Sequence, residues 1–457
     1  MKYAIIVKSG TAEQVAYLCR QLGATNVTVM PKLKQVYCET SSPEQLATIP
    51  GVVIKPVNKV SADVGIPRQR RTPSRQSVAG GTPLEVMYSQ LPTYAASQAS
   101  ISSQMYDLRN VLDPPVVGSG TTIAILDTGI RKTHRGLLDK VIYEIDVSGS
   151  GTAEDIFSHG TAVAYMAAGG RHMVGEESGI APGAMLMNIK VLNNEGNGDD
   201  ETVAAGLEVV AELIAAADAQ ELPTYHPMYP NVINMSFGKP DTADEDDPMK
   251  LAIQAFVEEV GASIVIYAAA GNSGPEAGTI TMPASMIEVI AVGAVTFSPF
   301  DIWRYSSRGP TKEGLIKPDF VFFGVDMVLA SSKSDDAFEV KSGTSFAAPA
   351  MTGFWALGLE GLPRVMPDAM LEQYINLPPE QWQQIFTPLI AAMMIKPPGY
   401  VVGVSDNDWG YGFPLGSLAI AQMDQIAGGG DISSSLTGIM PAMLLMGMMP
   451  MLIGGMR

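Results

Sequence analysis

From Thr121 onward the chain alternates short, almost unbroken apolar runs with longer segments of helical periodicity. The runs are Thr121–Leu126, Val141–Ile145, Ala184–Val191, Asn231–Ser236, Ser263–Ala268 and Glu288–Val292. Helices are expected to start near His159, Asp200 and Pro248, and another after Ser345. Strands that are apolar on both faces belong in a parallel sheet covered by helices on two sides. The pattern therefore predicts an α/β fold with a doubly wound, mostly parallel sheet. Sites in such folds lie at the carboxyl ends of the strands.

Four short segments in Gly-rich settings follow one another along this region. They are Leu126-Asp127-Thr128-Gly129, Ser158-His159-Gly160-Thr161, Ala270-Gly271-Asn272-Ser273-Gly274 and Gly343-Thr344-Ser345-Phe346-Ala347-Ala348-Pro349. Together they carry an acid, an imidazole, an amide and a hydroxyl. Acyl transfer needs these groups as orienter, general base, oxyanion donor and nucleophile. Asp127 ends an apolar strand run, and Asn272 follows another, Ile264 to Ala270. Ser345 stands before a segment that reads as a first helical turn, with Pro349 in it. A Ser there is also a preferred helix cap, so the segment alone decides nothing. Asp-Thr-Gly also occurs in proteases that use two carboxylates, but no second Asp-Thr-Gly or Asp-Ser-Gly is present. The chain has four histidines, and His134, His172 and His226 lack the setting of His159. They read as surface or structural.

In this order and with these flanks, the four segments resemble the subtilisin-like serine proteases, the subtilase family, over roughly residues 100 to 425. The resemblance implies a subtilisin-like fold and a peptidase with catalytic Asp127, His159, Ser345 and Asn272. It implies that Ser236, Phe237 and Gly238 align a peptide substrate by β-augmentation. Ala269, Ala270 and Gly271 resemble a wall of the primary specificity pocket. Gly196, in the loop Asn194–Asp200, resembles the lining of the neighbouring subsites. The acidity of that loop fits basic substrate residues, or simply a solvated surface. Ala350 stands where subtilases commonly have His. The loop Arg171–Gly179 lacks the Asn-rich calcium loop of bacterial members, so calcium, the one ion the resemblance brings in, stays open, and no other metal or cofactor is implied.

Residues 1–62 read as β-α-β-β-α-β, the order of a ferredoxin-like α+β unit. Tyr3–Val7, Val27–Met30, Gln35–Glu39 and Val52–Pro56 are its strands, with helices over Thr11–Leu22 and Pro43–Ile49. This order resembles the inhibitory propeptide of subtilases, and also that of free-standing regulatory domains. Residues 63–100 read as a linker carrying the processing site. The tract Ile66-Pro67-Arg68-Gln69-Arg70-Arg71-Thr72-Pro73-Ser74-Arg75 within it is basic, Pro-containing and open to proteolysis. Residues 101–426 make the catalytic domain. Residues 427–457 form a Gly/Ser spacer and a Met-rich apolar tail whose length would span a bilayer. Pro441 and Pro450 make it a poor helix in water. Packing against another copy or a groove, membrane association and a disordered end remain open for it.

Composition narrows the partners. A net charge of −18 argues against nucleic acid. Hydrophobic residues at 46% with 17% charged fit a packed globular protein. Cys19 and Cys38, the only cysteines, cannot make a disulfide framework and read as small buried residues. The start Met1-Lys2-Tyr3-Ala4-Ile5-Ile6-Val7-Lys8 is too short an apolar run for a signal peptide, which leaves the cytoplasm or export by another route. Polypeptide substrates and the chain's own N-terminal unit, as inhibitor, are the expected partners. The first functional expectation is thus a serine endopeptidase made as a self-inhibited precursor. The competing expectations are an assembly or membrane-associated protein that keeps the fold, and an esterase or amidase.

Overall fold

The structure is a computed structural model that describes residues 1–62, 115–170, 179–261, 264–296, 300–365, 394–395 and 405–414. The expected linker with its processing site, the loop 171–178 with His172, residues 366–393 and 396–404, and the C-terminal spacer and tail lie outside the described residues.

The N-terminal unit runs β1 (Lys2–Val7), α1 (Ala12–Gln21), β2 (Thr25–Met30), β3 (Gln35–Glu39), α2 (Pro43–Leu46) and β4 (Val52–Pro56), followed by a short β5 (Lys59–Ser61). Thr11 caps α1 in a capping box with Gln14, which fixes where that helix starts. The four main strands order as β2-β3-β1-β4, with β1 antiparallel to β3 and β4, as the ferredoxin-like reading expects. Side chains alternate across this sheet. Ile5, Val7, Val36 and Cys38 face α1 and α2. Ala4, Ile6 and Tyr37 face the rest of the molecule and join its core.

The body continues with β6 (Thr122–Asp127), β7 (Val141–Asp146), α3 (Gly160–Ala168), β8 (Met185–Lys190), β9 (Asn197–Asp199) and α4 (Asp200–Ala219). There follow β10 (Val232–Met235), β11 (Lys239–Pro240), α5 (Pro248–Val260), β12 (Val265–Ala269), β13 (Thr281–Met282), β14 (Ile290–Thr296) and β15 (Asp301–Ile302). Last come β16 (Phe320–Phe323), the hairpin β17 (Met327–Ala330) and β18 (Phe338–Lys341), and α6 (Thr344–Val365). The main sheet orders as β15-β14-β12-β10-β6-β8-β7, with β16 also paired to β14. All its pairings except β14 with β15 are parallel.

Helices cover both faces, and the period of two decides which side chain meets which helix. Ile123 and Ile125 pack with α3 and α6. Ala124 and Leu126 pack with α4 and α5. Asp127 is next in the odd series. It therefore emerges at the strand's carboxyl end on the side of α3 and α6, the two helices whose first turns carry the His159 and Ser345 segments.

Two details differ from the sequence reading. Phe320–Phe323 is a buried strand that the Lys317-Pro318 breaker hides from periodicity. Pro349 is not in the first helical turn, because α6 already begins at Thr344. It sits in the second turn, where its missing N–H deprives the Ser345 carbonyl of its helical donor.

Candidate active site

His159 immediately precedes α3 and is almost fully buried. Its Nδ1 lies 2.7 Å from Asp127 Oδ1. Asp127 Oδ1 also accepts the Thr128 N–H at 2.7 Å. Its Oδ2 is buried with no hydrogen-bond partner among the described residues. The close approach of the two segments depends on glycine. A Cβ on Gly160 would stand 2.2 Å from the Gly129 carbonyl oxygen and 3.2 Å from Asp127 Oδ1. Gly129 has a φ of +101°, and a Cβ there would meet the Ala153 carbonyl oxygen at 2.4 Å.

A second aspartate, which no sequence motif singled out, organises both segments. Asp155 Oδ1 accepts the Thr128 hydroxyl at 2.9 Å, the Phe157 N–H at 3.0 Å and the Ser158 N–H at 2.8 Å. Its Oδ2 accepts the Thr161 N–H at 2.9 Å. Thr128 Oγ1 in turn accepts the Gly160 N–H at 2.8 Å. Asp155 thus ties the loop after β6 to the first turn of α3, and so fixes Asp127 relative to His159. Lys190, buried at the end of β8 in register with Asp127, donates to the Thr128 carbonyl. Burial pushes its ammonium pKa down. Ser158 takes a left-handed φ of +70°. Its hydroxyl is held by Ser331 Oγ at 2.9 Å and by Glu339 Oε2 at 3.3 Å, both from the β17–β18 hairpin.

Asn272 and the start of α6 are joined just as directly. Asn272 Oδ1 accepts the Thr344 N–H at 2.9 Å and the Thr344 hydroxyl at 3.0 Å. Thr344 Oγ1 accepts the Gly271 N–H at 3.2 Å. With the amide oxygen spent on Thr344, the Asn272 NH2 is the end left for a ligand. Ser345 follows Thr344 and is buried at the N-terminus of α6, whose dipole favours negative charge there. The Phe346 ring lies 5.6 Å from the His159 ring, which brings the Ser345 and His159 segments side by side.

The expected peptide-binding residues form two facing edges, and β5 of the N-terminal unit lies between them. Ser61 and Gly238 exchange both backbone hydrogen bonds, at 3.1 and 3.2 Å. On the other side β5 pairs antiparallel with β9, and the Ala62 N–H donates to the Gly196 carbonyl at 3.1 Å. Both glycines are sterically required. A Cβ on Gly238 would stand 2.7 Å from the Met282 carbonyl oxygen, and one on Gly196 2.7 Å from the Phe157 ring. Ser236 and Phe237 are buried beneath this edge; Ala269 ends β12, and Ala270 and Gly271 follow it into Asn272.

The N-terminal sheet also sits on α4 and α5. Glu208 accepts the Lys32 and Leu33 N–H groups at 3.1 and 3.2 Å. Asp200 accepts the Asn58 N–H at 2.7 Å and pairs with Lys239 at 2.6 Å. Burial pushes the Asp200 carboxyl pKa up to about 6. Among the described residues, the ion pairs between the two regions all run one way, lysine on the unit and carboxylate on the body. Lys2 meets Asp199 and Glu201, Lys32 meets Glu259, Lys34 meets Glu258, and Lys55 meets Asp244 and Asp246.

Of the remaining histidines, His134 is buried with its ring against Phe338, and its Nε2 is 2.9 Å from the Ala337 carbonyl. His226 Nδ1 accepts the Met228 N–H in a turn. Both are structural. No group of three or more His, Cys, Asp or Glu is placed to hold a metal among the described residues, and the loop 171–178 is not among them. No helix among them is long and apolar enough to cross a membrane.

The model of the subtilase family matches residues 118–384, more than half of the chain. The chain belongs to the subtilase family. Its relatives include the serine protease AprX of Bacillus subtilis (strain 168), 33% identical over 284 residues that cover 57% of this chain and 62% of that one. The subtilisin of Bacillus sp. (strain TA39) is 29% identical over 252 residues, 52% of this chain and 56% of that one. The membrane-bound transcription factor site-1 protease of Mus musculus is 30% identical over 246 residues, 52% of this chain and 20% of that one. This subtilase thus spans about six-tenths or less of these relatives. Among solved structures, Sphericase superposes with a TM-score of 0.51 at 26% identity, covering 66% of this chain and 92% of that one. The doubly wound, subtilisin-like fold is shared.

Proposed function

We propose that this subtilase is a serine endopeptidase held as a self-inhibited precursor. The observation that carries the peptidase reading is the 2.7 Å contact of His159 Nδ1 with Asp127 Oδ1, next to an Asn272–Thr344–Ser345 corner in which the Asn272 oxygen is spent on Thr344 and its NH2 is left for a ligand. Ser345 Oγ attacks the scissile carbonyl carbon while His159 Nε2 takes its proton. Asp127 holds the Nδ1–H tautomer and stabilises the imidazolium. The Asn272 amide and the Ser345 N–H receive the oxyanion. His159 then gives the proton to the leaving amine, and water repeats the sequence on the acyl-enzyme.

The substrate is an extended polypeptide pairing with Gly238 and Gly196, as β5 does. Residues 59–62 therefore stand where a substrate strand would, which supports reading residues 1–62 as the inhibitor. Processing falls in 63–100, ahead of a catalytic domain over 101–426. The test is labelling with a fluorophosphonate and release of peptides from an unfolded protein. Wild type is expected to be labelled on Ser345 and to cleave. His159→Ala and Ser345→Ala lose both. A wild-type chain freed of residues 1–62 that takes no label and releases no peptide would sink the reading.

A further inference from the structure

The chain's two cysteines both lie in the N-terminal unit, Cys19 on α1 and Cys38 on β3. Both are fully buried free thiols. They share one small core, between the helices and the sheet face turned away from the body. Their thiols lie beside each other in that layer. Nothing in the proposed catalysis uses them, and a thiol pair in contact is the starting geometry for a disulfide.

We propose that Cys19 and Cys38 form an intramolecular disulfide by exchange with a low-molecular-weight disulfide, stapling α1 to the sheet. Exchange starts on one thiolate of the pair, for example Cys19. Its sulfur bonds to one sulfur of the small disulfide and expels the other as a thiolate. Cys38 then loses its proton to solvent and attacks Cys19 sulfur, expelling the second thiolate. The chain gives up two electrons and two protons, and the small disulfide becomes two thiols.

Because the pair lies on the face away from α4 and α5, the bridge can form with the unit docked. Because both sulfurs are buried, exchange waits on α1 lifting from the sheet, so its rate follows local opening. Cross-linking residues 19 and 38 removes loop entropy from the unfolded unit. It shifts the unit's folding equilibrium about a hundredfold towards the folded form. The staple matters most once the unit leaves the body and its other sheet face is exposed.

The test uses the full chain with Ser345→Ala, incubated with glutathione disulfide, quenched in acid and mapped by mass spectrometry. It does not depend on the peptidase reading. The expected result is a cross-linked peptide joining Cys19 to Cys38, lighter by two hydrogens than its parts and reversed by dithiothreitol. Hydrogen exchange in α1 slows. Cys38→Ser stops at a glutathione adduct on Cys19. If both thiols stay open to alkylation after denaturation, or the Ser345→Ala chain carries only glutathione adducts, the proposal fails.

Discussion

The two regions of the molecule hold their working parts in opposite ways. In the body, each proposed catalytic group is fixed by neighbours within the same fold. Asp155 gathers Thr128, Phe157, Ser158 and Thr161, and Asn272 binds Thr344. The sheet beneath is covered on both faces. The N-terminal unit covers only one face of its sheet with its own helices, and borrows α4 and α5 for the other. Its attachment adds a rim of lysine–carboxylate pairs and two backbone N–H groups on Glu208. The body thus supplies its own packing on both sheet faces, while the unit depends on the body for one of its two.

Substitutions can separate the two. Ser345→Ala should lower peptidase turnover by about 10⁴-fold or more while leaving the unit docked, as read by peptide hydrolysis and size-exclusion chromatography. Asp127→Asn should cost about 10⁴-fold by losing the correct imidazole tautomer. Should either one also release the unit, the separation of roles is wrong. Asn272→Ala should cost ~10²–10³ in kcat with little change in KM. It also strips the partner from the Thr344 N–H, so thermal stability of the body should fall by about 1–3 kcal/mol.

The next changes act on docking alone. Glu208→Ala leaves the Lys32 and Leu33 N–H groups unpaired, and should weaken docking of the cleaved unit by about 1–3 kcal/mol without touching turnover. Salt should act in the same direction and less strongly. The lysine pairs are part-exposed, each contributing under about 1 kcal/mol, so raising salt tenfold should speed release only severalfold. The smallest effect is that of pH. Asp200, buried under the docked unit, has its carboxyl pKa raised to about 6. The docked state thus holds that proton more tightly than an open state in which lifting the unit partly rehydrates the carboxyl and lowers its pKa, Lys239 and Asp247 staying beside it. Docking should tighten severalfold as pH falls through 6 towards 4. Asp200→Asn should flatten that dependence in a dissociation assay.

The sequence made the strand ends and the four Gly-rich segments legible because each is a local pattern. Asp127 ends an apolar run, and Asn272 follows another. What stayed hidden depends on partners far along the chain. Asp155 is an ordinary loop aspartate until Thr128 folds onto it, 27 residues away. The Asn272–Thr344 bond spans 72 residues. Lys59–Ser61 looks like the tail end of a domain, since its strand partners, Asn197–Asp199 and Gly238, are distant in sequence. Glu339 lies in a hairpin with no motif, and only the fold carries it to Ser158.

The central claim is that one chain carries both a peptidase site and the strand that fills it. Intact-mass spectra of purified wild type and Ser345→Ala, followed over time, test it most directly. The account predicts that wild type loses an N-terminal fragment cut between about residues 63 and 100, and that Ser345→Ala stays whole. A wild-type chain that remains whole, or a Ser345→Ala chain cut at the same place and rate in the same preparation, would contradict it.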